Sequence, residues 1–223
     1  TTDDLLYIER EYGQIYRIET GGAGGFYITS TIPTGANYAN WSAPMALDPK
    51  DRNRLYSGRH RLYVNTDPLG NEEWEAISPE VPGFISAFAI SPVSSDVICI
   101  GSAQGVVMRT TNRGETWTDM TFGRGLPNRA VTDFAFSRSD VNTVYIAYSG
   151  FFTEHIYKTT DGGQTWVPKN AGITQTEPFA WRLSRDTNGK LYLVVARRSE
   201  DGSIGNSGDG ALYVSTDGAE HWQ

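Results

Sequence analysis

The sequence predicts an all-β fold built from repeated four-stranded antiparallel sheets. Three observations lead there. Thr110–Trp117, Thr159–Trp166 and Ser215–Trp222 are near-copies of one pattern, [S/T]-x-[D/N]-x-[G/A]-x-x-W. A motif recurring at intervals of tens of residues marks a repeat architecture. Around each copy, short apolar or alternating runs of four to six residues are separated by polar turns, which is strand patterning. Aromatics make up 12% of the chain and Gly contributes 24 residues, as many short strands and tight turns require.

The elements follow in order. Leu5–Ile8 opens a first unit. It aligns with the second strand of later units, so an innermost strand is expected to be missing there. Pro44–Ser78 holds a full unit with a turn at Asp48–Asn53. Ile85–Thr121 repeats it with a turn at Ser91–Asp96. The next unit is the clearest: strand Val131–Phe136, turn Ser137–Asn142, strand Thr143–Ala147, strand Ile156–Lys158, then a fourth strand from Trp166. Phe179–Gln223 carries the last unit, with a turn at Arg185–Gly189, and stops where its fourth strand should begin. Asn65–Trp74 is a further copy of the motif stretched by two residues, and Arg17–Phe26 an eroded one. About five units result, near 1–41, 42–80, 81–125, 126–173 and 174–223. No helical periodicity of useful length appears.

The motif has a physical task. Its Asp or Asn folds back onto backbone N–H groups as in an Asx-turn. Gly supplies the positive φ of a tight turn, and Trp covers the hairpin and offers an indole N–H. Asp67, Asn112, Asp161 and Asp217 are therefore read as turn formers rather than catalytic carboxylates. Trp74, Trp117, Trp166 and Trp222 are expected each to pack against its own hairpin. The motif resembles the Asp-box, or BNR repeat, of sialidases, xyloglucanases, sortilin-type receptors and secreted bacterial proteins. Tyr12–Arg17, Ala46–Pro49 with Arg54–Tyr56, and Gly125–Asn128 with Asn142–Tyr145 extend the resemblance to secreted bacterial BNR-repeat proteins over nearly the whole chain. It implies a β-propeller, here about five blades of a larger ring, with further blades from a longer or a second chain closing it. An extracellular or cell-surface location is implied with it.

Composition narrows the partners. The net charge of −7, with no Lys/Arg cluster, argues against nucleic acid. No apolar run approaches 18 residues, so no membrane-spanning helix is expected. The one cysteine, Cys99, lies in the apolar run Val97–Ile100 and reads as a buried strand residue.

Strand alternation sorts the connections onto two faces. The Asp-box turns and the Asp48-type turns share one. The other carries irregular loops, as binding faces do: Asn37–Trp41, Arg59–Arg61, Gly123–Arg129, Ser149–His155 and Arg197–Asp209. Aromatic rings beside Arg, Asn and carboxylates are what sugar recognition uses. Tyr38, Trp41, Arg59, Arg129, Phe151, Phe152, Arg197 and Arg198 are the ligand-binding candidates. Hydrolysis of a glycoside needs two facing carboxylates, one of raised pKa. Asp133, Glu154, Glu177, Glu200 and Asp201 are conceivable, with Glu154 and Asp201 the candidates on the loop face, but sequence pairs no two of them. The Arg-Ile-Pro signature of sialidases is missing, since Thr31–Pro33 lacks the arginine. His60, His155 and His221 are too dispersed to suggest a zinc site, and no metal or cofactor is expected. A calcium ion in Asp201–Asp209 is the weaker option, because its spacing is not that of an EF-hand. The reading is a binding or scaffold module for a glycan or protein partner, without glycosidase activity of its own. The alternative is part of a sialidase-like or xyloglucanase-like glycoside hydrolase whose site needs additional blades.

Overall fold

A computed structural model describes residues 5–19, 24–70, 73–150, 154–173, 179–196 and 210–223. The fold is a β-propeller segment of five antiparallel sheets. The first is β1 (Leu5–Glu9), β2 (Ile15–Glu19) and β3 (Gly25–Tyr27). The second is β4 (Met45–Leu47), β5 (Leu55–Gly58), β6 (Leu62–Asn65) and β7 (Glu75–Ala76). The third is β8 (Ile85–Ile90), β9 (Ile98–Ser102), β10 (Val107–Thr110) and β11 (Thr118–Asp119). The fourth is β12 (Val131–Phe136), β13 (Val144–Tyr148), β14 (Ile156–Thr159) and β15 (Val167–Pro168). The fifth is β16 (Phe179–Arg185), β17 (Leu191–Ala196) and β18 (Gly210–Ser215). Strands pair in chain order within every sheet. Among the described residues no ladder joins one sheet to another.

The core lies between the sheets. Leu55 meets Ile15 and Ile28 between the first and second. Tyr56, Leu62 and Val64 meet Phe88, Ile98 and Ile100 between the second and third. Cys99 and Val107 meet Phe134, Ile146 and Trp166 in the next interface, and Tyr145, Ala147 and Ile156 meet Leu191, Leu193 and Tyr213 in the last. A middle strand such as β13 is therefore buried at every position. Alternate residues serve opposite interfaces, so such strands read as continuous apolar runs. β1, in the first sheet, keeps the alternation of a half-buried strand. Cys99 is 2% exposed, and burial pushes its thiol up to about 12, so it behaves as a small apolar side chain.

The turns of the repeated motif are satisfied locally. Asp161 accepts the Thr165 N–H at 3.0 Å and the Thr165 hydroxyl at 2.6 Å. Asn112 accepts the Thr116 N–H at 2.9 Å, and Asp217 accepts the His221 N–H at 3.0 Å. In the stretched copy, Asn65 Oδ1 takes the Asp67 N–H while Asp67 takes that of Gly70. The Trp166 ring lies beside Gly163 of its own turn, and each Trp ring also enters an interface between sheets. Trp74, Trp117 and Trp222 donate their indole N–H to the carbonyls of Ile28, Ile77 and Lys169, at 2.7, 2.6 and 2.8 Å. Each acceptor directly follows the outermost strand of the preceding sheet. Trp166 is as buried as Trp222, but its indole N–H has no partner. Cations on the next-to-outermost strands reach forward: Arg17 to Pro68 O, Arg109 to Gly162 O and Lys158 to Gly218 O.

Candidate functional site

The inner strands β8, β12 and β16 each carry a register shift near their start, at Ser86, Thr132 and Trp181. Such β-bulges bend a strand and re-aim its side chains. On this side of the fold lies a cleft of about 340 Å³. Its walls include Asn40, Ser42, Ser86, Thr132 and Arg182, with small apolar residues between them. The cleft thus falls on the irregular face, away from the repeated turns, as strand alternation predicts. Ser86 donates to Val131 O across the sheet boundary at 2.6 Å. Among the described residues, no Asp or Glu lines the cleft.

Two carboxylates stand directly behind its walls. Asp133 accepts the N–H groups of Leu183 and Phe134, both at 2.9 Å, and its Oδ2 is 3.8 Å from Arg182 Nη1. Burial raises its pKa, opposed by those N–H donors and the guanidinium. The pair leaves Arg182 75% exposed beside the cleft and Asp133 only 16% exposed. Glu9 accepts the N–H groups of Gly13 and Ala43 at 3.2 and 3.0 Å, and burial raises its pKa too. Both carboxylates hold backbone, so neither is offered to a ligand. The arrangement can bind a polyhydroxylated molecule. Among the described residues that line it there is no facing acid and base of the kind hydrolysis requires.

Trp41 stands at the rim, 64% exposed, between the cleft residues Asn40 and Ser42. Tyr38 is 42% exposed, and its ring packs on His60, 5.4 Å between centroids. Arg59, expected on the binding surface, is instead an interior brace with no exposed surface. It donates to the carbonyls of Gly13 and Pro33. Desolvation lowers its pKa to about 10, and Glu9 is the carboxylate whose charge opposes that shift. Arg129 is exposed with its stem against Gly150, and Glu154 is exposed. Phe151, Phe152, Glu177, Arg197, Arg198, Glu200 and Asp201, with the Asp201–Asp209 loop, lie outside the described residues. The histidines serve three separate purposes: His60 in the Tyr38 stack, His155 on Tyr148 O, and His221 on Asp217. Burial lowers the pKa of His155. Among the described residues no cluster of three metal-ligating side chains forms, and no helix is long and apolar enough to cross a membrane. Sequence reasoning missed the cleft residues Ser86, Thr132 and Arg182. A bulge at the head of an inner strand leaves no mark that a two-residue period reveals.

No family model matches the chain. Among curated proteins it is 24% identical over 246 residues to a probable oligoxyloglucan-reducing end-specific xyloglucanase of Neosartorya fischeri. That match covers 95% of this chain and 27% of the relative, so the chain spans about a quarter of its length. The GH74 xyloglucanase of Xanthomonas campestris superposes with a TM-score of 0.73 at 17% identity, over 99% of this chain and 36% of that one. The GH74 enzyme of Niastella koreensis gives 0.74 at 21%, over 98% and 35%. The likeness to these structures establishes the propeller fold. The curated relatives are xyloglucanases, which favours the hydrolase alternative over a stand-alone binding module.

Proposed function

We propose that this chain is part of a glycoside hydrolase of the xyloglucanase kind and supplies one binding wall of its substrate cleft. The observation that carries the reading is the 340 Å³ cleft at the heads of the inner strands, with the exposed Trp41 at its rim. Its walls offer the amide of Asn40, the hydroxyls of Ser42 and Ser86 and the guanidinium of Arg182, which suit the hydroxyls of a neutral sugar. Arg182 is balanced by Asp133, so the wall favours no net charge. The carboxylate pair for bond cleavage is supplied from outside the cleft lining described here, and an extracellular setting accords with a polysaccharide substrate. The Asp-box resemblance fits the same reading.

Calorimetric titration tests it. The chain should bind xyloglucan oligosaccharide saturably, and sialyllactose should give no heat. Chemical-shift changes should centre on Asn40, Ser86, Thr132 and Arg182. Absence of β-glucan binding, or shifts confined to the Asp-box face, would overturn it.

A further inference from the structure

We infer that Trp41 forms a separate sugar-stacking subsite at the rim, prepared in advance by the buried Arg59. The inference rests on the glycan reading above. Its ligand class is a neutral β-linked glucan, whose equatorial hydroxyls leave flat C–H faces for an indole.

An indole 64% exposed contributes little to the core. Yet the chain around it is tied down on every side. Trp41 O accepts the Tyr12 N–H at 3.0 Å, and Trp41 N–H donates to Asn40 Oδ1 at 2.9 Å. Tyr12 meets the indole edge to face, 5.1 Å between centroids and 78° between planes. Tyr12 itself sits at φ 56°, ψ 38°, a left-handed conformation uncommon for a bulky residue. Glu9 binds Gly13 on one side of this turn and Ala43, two residues beyond Trp41, on the other.

Arg59 completes the brace. It reaches from the second sheet and bonds Gly13 O, next to Tyr12, and Pro33 O, in the segment leading to Tyr38. A Cβ on Gly13 would come within 2.9 Å of the guanidinium, so the two are fitted to each other. Burying a cation is costly unless it is hydrogen-bonded and compensated. Here that cost fixes a loop whose most exposed side chain makes no core contact. Fixing an aromatic before binding removes ordering entropy from the binding step. Phe122 offers the contrast: it is 76% exposed, and among the described residues no aromatic ring packs on it.

The test uses cellotetraose as the probe and isothermal titration of the whole chain. Trp41→Ala should weaken binding about 5- to 10-fold and leave the thermal midpoint within about 1 °C. Trp41→Phe should stay within about 3-fold, and Phe122→Ala should change neither reading. Arg59→Met should weaken binding by a similar factor, and adding it to Trp41→Ala should weaken binding no further. That lack of additivity separates positioning from general destabilisation. If wild type binds and Trp41→Ala binds equally well, the subsite is refuted while the cleft reading stands. If wild type does not bind cellotetraose at all, both fail. If Arg59→Met does not fold, the three aromatic variants still decide the subsite.

Discussion

The face of the repeated turns and the cleft face are made in opposite ways. On the first, one solution recurs: Asn112, Asp161 and Asp217 each close a turn within four residues, and a Trp then spans the sheet boundary. On the second, the bulges at the heads of the inner strands recur but the side-chain contacts do not. Arg59 crosses 46 residues to Gly13, and Asp133 takes an N–H from Leu183, 50 residues away. Repetition serves folding, because every blade meets the same problem. Singularity marks places where one blade does what its neighbours do not. The difference shows where stability should be concentrated and where binding should be.

The largest test of that division is Trp222→Ala. Removing a 4%-exposed indole from an interface should cost about 3–5 kcal/mol in urea unfolding. Trp41→Ala at the rim should cost less than about 0.5 kcal/mol. Comparable losses would erase the distinction between the faces.

Asp133→Ala comes next. It strands the Leu183 N–H at a sheet boundary and should cost about 1–3 kcal/mol. The pH dependence has a definite sign. Burial raises the folded-state pKa of Asp133, so its ionisation costs more folded than unfolded. Its contribution should decline as pH rises from about 4 through that raised value. Urea midpoints of wild type and variant, compared across that window, check the sign.

Trp→Phe substitutions sharpen the comparison within the repeated face. Trp222→Phe deletes a bond to Lys169 O, whereas Trp166→Phe deletes an N–H without a partner. The first should cost about 1 kcal/mol more than the second. Equal losses would show that the indole bonds contribute nothing beyond packing.

Within the repeated turns Asp161→Asn should have a small effect, under about 1 kcal/mol, since Asn112 already does the same work in the third sheet. Hydrogen bonds from Thr165 hold the Asp161 pKa well below the usual carboxylate range. Its contribution is thus present above about pH 4 and lost as pH falls from there towards the folded value. The gap between wild type and variant should narrow in acid. A gap that widened would reverse the assigned role.

The fold was legible because its signals are local and repeated. Val131–Phe136, expected as an inner strand, coincides with β12. Asp161 and Trp166 declare a turn within eight residues of sequence. The cleft was not legible for the converse reason. Arg182 reads as one charge in a strand until the bulge at Trp181 and the carboxylate of Asp133 are placed beside it. Arg59 was misplaced because a cation in a loop normally faces water. Only the carbonyls of Gly13 and Pro33, far off in the chain, explain its burial. The turn role of Asp67 was half right, since Asn65 shares the work. Trp41 was legible as an exposed aromatic, but its support was not.

The bulges at the heads of β8, β12 and β16 have one more consequence. A bulged residue has no opposite number on the next strand, so the ladder on either side keeps its register whatever side chain stands there. The three positions already hold Ser86, Thr132 and Trp181, a small hydroxyl, a branched hydroxyl and an indole, on otherwise like strands. Two of them, Ser86 and Thr132, line the cleft, so its wall can change there while the blades go on assembling as before.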